Sequence, residues 1–579
     1  MPTRLSSALF CAKVAILQIQ RALADAGGAG CRRFPKGKLG GEPRQLCESR
    51  TPLWTECDPL ERALQLGKVH NLRLATERLN EVLVPAGETF SFWAHVGKAT
   101  KSRGFVDGRE LREGCLIPTV GGGLCQLSNA LYDAALQAGF EIVERHAHSQ
   151  VVPNSAAEQG RDATIFWNYV DLRFRSQSAF RIETDMTADF LFVRFSANAE
   201  VEKKKEEAPN HKSPLILLAV QPHSPDPNSC VSCGVTDCFR YVEPTKPIEG
   251  RTAYLVDDYW PEFDDYIVRT RSARDILCLP IDGRAFQKQN YAWCTNGYAK
   301  LKTAEAFTAM RSFASRKLAR QGAARQRALL SQHERLAEIY ANSLEYDVEH
   351  LVITQTLLPF LFKNGGLGGR TFDVLMTALP MVRLQLRLDG AASLHPDSKT
   401  LTDFRAEQDL VDAETEGLRR ARKIITTHSE IAGLFIEKVE HLPWAVPNTK
   451  YRRSRGSKVV FPASTLGRKG AFEMRDAARR MQLEVVLCGA QLEDQNFWNG
   501  INTEDCAEDW LENASVVVLP AFVENNPRRL LAAAGAGIPV IASAACGLEN
   551  VAGVTTVQTG NIDMLCAAIE TALKQPVTI

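Results

Sequence analysis

From about residue 250 onward the chain repeats one texture. "TAYLVDD", "HLVITQT", "KIITTH", "KVVFPAS", "LEVVLCG", "SVVVLPA" and "PVIAS" are short apolar runs rich in Val and Ile, with helical patterns between them. A strand covered on both faces carries an unbroken apolar run, and its parallel neighbour is reached through a crossover helix. This half is therefore expected to be doubly wound α/β. The strand spacing fits two Rossmann-like halves divided near 446, and the segment from Lys300 to about Asn342 is predicted to be one long helical stretch.

A chain of 579 residues exceeds what one core holds, so the whole is expected to be a multidomain α/β protein. Residues 66–198 form a different, α+β block, with a helical pattern in "NLRLATERLNEVL", turn-rich segments and strands ending in "RIETDMTADFLFVRF". Residues 1–65 are expected to be a helical extension of it. Residues 199–249 hold the charged "SANAEVEKKKEEAPNHKSP", a solvated linker by composition, and a cysteine cluster. Two Rossmann-like domains then occupy 250–445 and 446–579.

Sixty-nine Lys and Arg stand against 68 Asp and Glu, so no net charge draws the chain to nucleic acid. No apolar run reaches the roughly 18 residues that span a bilayer. In "MPTRLSSALFCAKVAILQIQRALADAGG", Lys13 interrupts the apolar stretch. Leu5, Leu9, Ala12, Ile16, Ile19 and Leu23 fall on one helical face. That face is expected to pack on its own domain, with peripheral contact at the inner membrane as the alternative. Fifteen cysteines without an export signal point to reduced thiols and a cytoplasmic location.

In "PTVGGGLCQLSNALYDAALQAGFEIVERHAHS", Gly121, Gly122 and Gly123 precede Cys125. Leu127, Leu131, Ala134 and Ala138 then make an apolar helical face ending at Gly139. Cys125 is thus placed at a helix start, where free N–H groups and the helix dipole favour a thiolate and can hold an oxyanion. His146 and His148 share a strand face, and Asp171 follows on a later strand. Cysteine, then histidine, then aspartate is an order a thiol–imidazole–carboxylate triad can use. The expected constellation is Cys125, His148 and Asp171, with Asp162 as the other acidic candidate. The plainer reading, a packing or ligand-binding glycine–cysteine turn, stays open.

The stretches "KVHNLRLATERLN", "VPAGETFSFWAHVGKAT", "GFVDGRELREG", "PTVGGGLCQLSNALYDAAL", "VERHAHS" and "GRDATIFWNYVDLRFR" resemble the VanW family, over roughly residues 66–178. The family takes its name from a bacterial vancomycin-resistance accessory protein, and no reaction is firmly assigned to it. The resemblance implies a cell-wall context. It makes Gly121–Gly123, Cys125, Gln126, His146, His148, Arg161, Asp162 and Asp171 the functional candidates.

Cys230, Cys233 and Cys238 stand in C-x2-C-x4-C spacing. A structural zinc or iron–sulfur cluster is one reading, with His223, Cys278 or Cys294 as the missing fourth ligand. A reduced, loop-packing cluster is the other.

In the α/β half, "PASTLGRKGAF" follows a strand, places Gly467, Lys469 and Gly470 in a turn and opens a helix, which suits a diphosphate. "LPAFVENNPRRLLAAAGAGIPVIAS" puts Glu524 just after a strand, followed by Asn525, Asn526 and Pro527. Thr427, His428 and Ser429 end another strand, and Arg370 sits in a Gly-rich loop. This half resembles retaining GT-B glycosyltransferases that use nucleotide-sugar donors. The resemblance implies that Lys469 contacts the donor diphosphate and Glu524 holds the sugar, within a donor site of Gly467, Lys469, Gly470, Glu524 and Asn525. A second glutamate of that group falls on Ala532, and Gln355 stands where its acceptor-side histidine would be sought.

The leading expectation is a glycosyltransferase with a VanW-type domain, passing sugar to a glycan or lipid-linked acceptor in cell-envelope assembly without a catalytic metal. Two others stay open. One is a non-catalytic glycan- or nucleotide-binding module; the other is a cysteine-dependent hydrolase or acyl-transfer activity.

Overall fold

The structure, a computed structural model, describes residues 4–24, 31–55, 58–112, 115–148, 160–198, 228–240, 248–318, 322–448, 458–506, 510–512 and 514–574. Most of the charged linker predicted at 199–249 lies outside them. The chain forms two compact units. One comprises 1–251 with 344–350 and 364–371; the other comprises 252–343, 351–363 and 372–579.

The first unit is α+β. An antiparallel sheet has the order Pro43–Pro52, Phe190–Asn198, Phe180–Met186, Val82–Val84. Its edge strand at 43–52 lies within the stretch expected to be a helical extension. Phe180–Met186 alternates buried and half-buried residues along its length, as a strand with one covered face must. Phe140, Phe174, Phe180 and Phe195 stack in the core, with the Phe140 and Phe195 centroids 5.4 Å apart. The helix Arg62–Leu79 buries Leu66, Val69, Leu72, Ala75 and Leu79 at three- and four-residue spacing.

The N-terminal helix, α1 (Arg4–Ala24), departs from expectation. Leu5, Leu9, Ile16, Ile19 and Leu23 are all exposed. Its other side makes the contacts: Gln18 donates to the Trp167 carbonyl, and Arg21 pairs with Glu144 at 2.6 Å. The apolar face therefore does not pack on its own unit.

In the second unit a seven-stranded sheet has the order Lys300–Thr303, Ile276–Leu279, Arg251–Leu255, Val348–Thr354, Thr371–Leu375, Lys423–Thr426, Val439–His441. A six-stranded sheet has the order Asn502–Asp505, Glu484–Leu487, Lys458–Phe461, Ala514–Leu519, Val540–Ser543, Val554–Val557. Numbered within each sheet, the orders begin 3-2-1-4-5-6, the Rossmann arrangement, and the strand pairs with assigned register are parallel. Two Rossmann-like domains thus make up the α/β half. The long helix expected from Lys300 instead begins as a strand at the sheet edge and continues as helices Glu305–Arg316 and Ala323–Ser343. Gly322 lies at the break with φ +102°. Cys488 and Cys506 form a disulfide, so the thiols are not all reduced as expected.

Candidate functional sites

Cys125 is the first residue of helix α2 (Cys125–Gln137), whose N-cap, Leu124, supplies no side-chain cap. Leu127, Leu131 and Ala134 turn into the core, while Cys125 stays half-buried at its margin. The three glycines before it serve close packing within the unit. Gly121 and Gly123 hold φ of +82° and +97°. A Cβ on Gly123 would lie 2.1 Å from Lys68 Cγ, and one on Gly122 2.4 Å from the Gly108 carbonyl carbon. Buried Asn71 fastens this turn by donating to the Gly122 and Val106 carbonyls, 3.0 Å each.

Helix α2 also positions the segment that faces its start. One turn after Cys125, Ser128 Oγ donates to the Ala163 carbonyl at 2.5 Å, and Asn129 Oδ1 accepts from Ala163 N at 2.8 Å. Thr164 N then donates to the His146 carbonyl at 2.8 Å, and Thr164 Oγ1 lies 3.9 Å from Cys125 Sγ. Asp162, just before this anchor, is buried and takes His148 twice. It accepts from His148 N at 2.5 Å and lies 2.6 Å from Nδ1. Cys125 is the other side chain that acts on this imidazole. Burial alone would lower the His148 pKa; the hydrogen bonds and charges of Asp162 and Cys125 outweigh it and raise it to about 10.

Of the expected triad, Cys125 and His148 come together, but Asp171 does not join them. Asp171 accepts from Ser91 Oγ at 2.6 Å, Trp93 N at 3.2 Å and Arg173 Nε at 3.0 Å, which anchors the start of the short helix Phe92–Val96. The carboxylate on His148 is Asp162. His146 is half-exposed, with Nε2 3.7 Å from Glu144. Gln126 donates to Thr51 and Pro52, and Arg161 pairs with Asp133.

Cys230 is buried, and burial, with neighbouring Cys115, Cys233 and Cys238, raises its thiol to about 11. The strand Asn228–Ser229 pairs with Cys115–Val120, and this brings in Cys115, which spacing alone did not suggest. Among the described residues, no group of three or more Cys, His, Asp or Glu is arranged to hold a metal ion.

The second constellation lies at the carboxyl ends of the first and fourth strands of the six-stranded sheet, where strand order reverses. Open α/β sheets bind ligands at this place. The two loops are tied together there: the Arg468 carbonyl accepts from Phe522 N at 2.9 Å and Val523 N at 3.0 Å. Lys469 Nζ consequently pairs with Glu524 Oε2 at 2.9 Å, and Glu524 Oε1 accepts from Asn526 N at 2.9 Å. Gly470, at φ +75°, precedes helix α3 (Ala471–Met481), and a Cβ there would lie 2.2 Å from the Pro520 carbonyl oxygen.

Gly467 is tightly packed within its own unit. Its N–H donates to Glu493 Oε1 at 2.6 Å, and a Cβ would meet Leu401 at 2.7 Å. Buried Glu493 also takes Ser398 Oγ, Lys399 N and Thr400 Oγ1. Arg370 is buried and donates to the Val348 and Gly366 carbonyls. His428 is buried beside Gly547, with Nε2 3.1 Å from the Ala545 carbonyl. Gln355 donates to Glu414. Asn525 is half-buried beside Glu524.

Comparison with known proteins finds a family match within each half. Residues 67–196 match the family described as VanW like protein, and residues 471–575 match Glycosyl transferases group 1. The first half is similar to the vancomycin B-type resistance protein VanW of Enterococcus faecalis (strain ATCC 700802 / V583), 36% identical over 152 residues, 25% of this chain and 54% of that protein. It is also similar to the uncharacterized protein YoaR of Bacillus subtilis (strain 168), 39% identical over 108 residues, 19% of this chain and 35% of that one. The chain thus spans about half and about a third of these two curated relatives. Among solved structures, a sucrose-phosphate synthase from Thermosynechococcus elongatus matches with TM-score 0.37 and 12% identity over 56% of this chain and 90% of that one. The apo lipopolysaccharide outer core galactosyltransferase WaaB matches with TM-score 0.33 and 12% identity over 57% and 91%. The chain joins a VanW-like region to a glycosyltransferase-like region.

Proposed function

We propose that the protein is a glycosyltransferase that takes its sugar from a nucleotide-sugar donor, with retention of configuration, and serves cell-envelope glycan assembly. The observation that carries this reading is the Lys469–Glu524 pair at the point of strand reversal, directly before helix α3. In the free protein each side chain neutralises the other. An arriving diphosphate offers Lys469 a stronger anion, and Glu524 is released to hydrogen-bond the sugar hydroxyls. Lys469 and the start of helix α3 then stabilise the leaving diphosphate without a metal. Asn525 and Gly470 complete the donor site; Gly467 supports it through Glu493. The acceptor is a glycan or lipid-linked saccharide.

Calorimetry of the full chain with UDP, GDP, ADP and their sugars tests this. No binding by any of them would sink the reading. Binding without transfer would favour the alternative of a nucleotide- or glycan-binding module, which Ala532 supports, since its methyl accepts no hydrogen bond from a ribose.

Among the described residues no helix is long and apolar enough to cross a membrane. The exposed apolar face of α1 supports peripheral contact with a membrane surface, which on the cytoplasmic reading is the inner membrane. Elemental analysis after anaerobic purification tests the reading of Cys230, Cys233 and Cys238 as a structural zinc or iron–sulfur site; no stoichiometric metal would retire it.

A further inference from the structure

The transferase reading leaves Cys125, His148 and Asp162 without a task, and the three form a connected line. The thiol stands at the open end of a 13-residue helix, 3.9 Å from Thr164 Oγ1, and bears electrostatically on His148, whose Nδ1 lies 2.6 Å from a buried carboxylate. Packing alone would not require this. The apolar positions of α2 already fill the core, whereas Ala163, next to Asp162, is held at both backbone groups by residues of the helix that carries the cysteine. Arg145 Nε adds a hydrogen bond to the Asp162 carbonyl at 2.5 Å.

We propose that the VanW-like unit is a cysteine-dependent acyl-transfer site, in which Cys125 attacks an amide or ester carbonyl and His148, oriented by Asp162, carries the proton. His148 already holds the proton given up by the thiol when the substrate arrives, and Cys125 Sγ bonds to the carbonyl carbon. The carbonyl electron pair moves to oxygen, which becomes an oxyanion. Among the described residues the N–H groups of Leu124 and Cys125, at the start of the helix, have no backbone acceptor. They are the donors available to that oxyanion. As the tetrahedral centre collapses, the bond to the leaving amine or alcohol breaks, the leaving group takes the proton from His148, and a thioester remains on Cys125. Water or an amine then attacks the thioester, gives its proton to His148 and restores the thiol. Cys125 and His148 are the catalytic residues, and Asp162 is a positioning residue.

The test uses the full chain and two small probes, with Cys125 followed by peptide mass mapping. p-Nitrophenyl acetate should release a burst of nitrophenol and leave one acetyl group on Cys125. Iodoacetamide should alkylate Cys125 at pH 6 nearly as fast as at pH 8.5, whereas an ordinary thiol, with pKa about 8.5, would react more than a hundredfold more slowly. His148→Gln should abolish the pH 6 reaction, and Asp162→Asn should shift the whole pH profile upward. The wild-type profile is decisive even where a variant fails to fold. Alkylation of Cys125 that follows an ordinary titration, with no acetyl group trapped there, would overturn the proposal.

Discussion

Asp162 holds His148 at two points, accepting from its backbone N–H and lying 2.6 Å from Nδ1, while Asp171 is committed to Ser91, Trp93 and Arg173. The two aspartates therefore predict opposite phenotypes. Asp171→Ala takes the carboxylate from Ser91 Oγ and Trp93 N and one of two carboxylates from Arg173, which keeps Glu144 at 3.5 Å. It should lower stability by about 3–5 kcal/mol, the range for breaking a buried pair. Urea denaturation checks this, and the alkylation profile of Cys125 should keep its wild-type shape. Asp162→Asn should change that profile more than it changes the denaturation midpoint.

A pH dependence follows from His148. Its pKa in the folded protein, about 10, lies above the ordinary 6.5. A group raised on folding stabilises fully below its unfolded pKa, and that stabilisation is lost as pH rises through the folded value. The contribution of His148 should thus be complete below about pH 6.5 and fade toward pH 10, by an amount on the order of a few kcal/mol. Comparing urea midpoints of wild type and His148→Gln at pH 6 and pH 9.5 should show the gap narrowing at the higher pH. A gap that widened would reverse the assignment.

At the other site, Lys469→Ala should weaken nucleoside diphosphate binding by about 1.5–3 kcal/mol, the range for a charge-assisted contact, or roughly 10- to 150-fold in Kd. Glu524→Gln should act differently, since it removes the competing partner of Lys469. The bare diphosphate should bind as tightly or more tightly, while the nucleotide sugar gains less over it. Calorimetry with UDP and UDP-glucose separates the two effects. Equal losses for both variants with both ligands would count against the division of labour.

The α/β half was legible because a doubly wound sheet writes itself locally, as apolar runs separated by helices, and glycine turns mark where its strands end. Lys469 and Glu524 are legible singly, each in a loop after a strand at the reversal point; that they pair with each other is tertiary. The Cys125 partner was not legible in the same way. Asp162 and Asp171 are nine residues apart, and the strand pattern favours Asp171, which alternates with Ile165, Trp167 and Tyr169. What selects Asp162 is tertiary: Ser128 and Asn129 reach across from α2 to the backbone beside it. Cys115 was hidden for the same reason, since only strand pairing brings it to Cys230. For α1, periodicity identified the apolar face correctly but not which way it turns. That depended on ion pairing of Arg21 with Glu144, more than a hundred residues away.

The orientation of α1 makes the last prediction. A helix that presents Leu5, Leu9, Ile16, Ile19 and Leu23 outward, with its contacts on the other side, has the form of an interfacial helix. The full chain should float with phosphatidylglycerol-containing vesicles. Leu9→Gln combined with Ile16→Gln and Ile19→Gln should release it, because each substitution removes apolar area from the lipid interface. These side chains are solvent-exposed, so the triple variant should keep its urea midpoint. Arg21→Ala should do the reverse: it leaves the apolar face intact but removes one of the partners of Glu144, whose carboxylate, despite burial, is held at about 2 by hydrogen bonds from His146 and Arg21. Stability of the first unit should fall while flotation persists. Retention of the triple variant on vesicles would show that α1 is not the membrane contact.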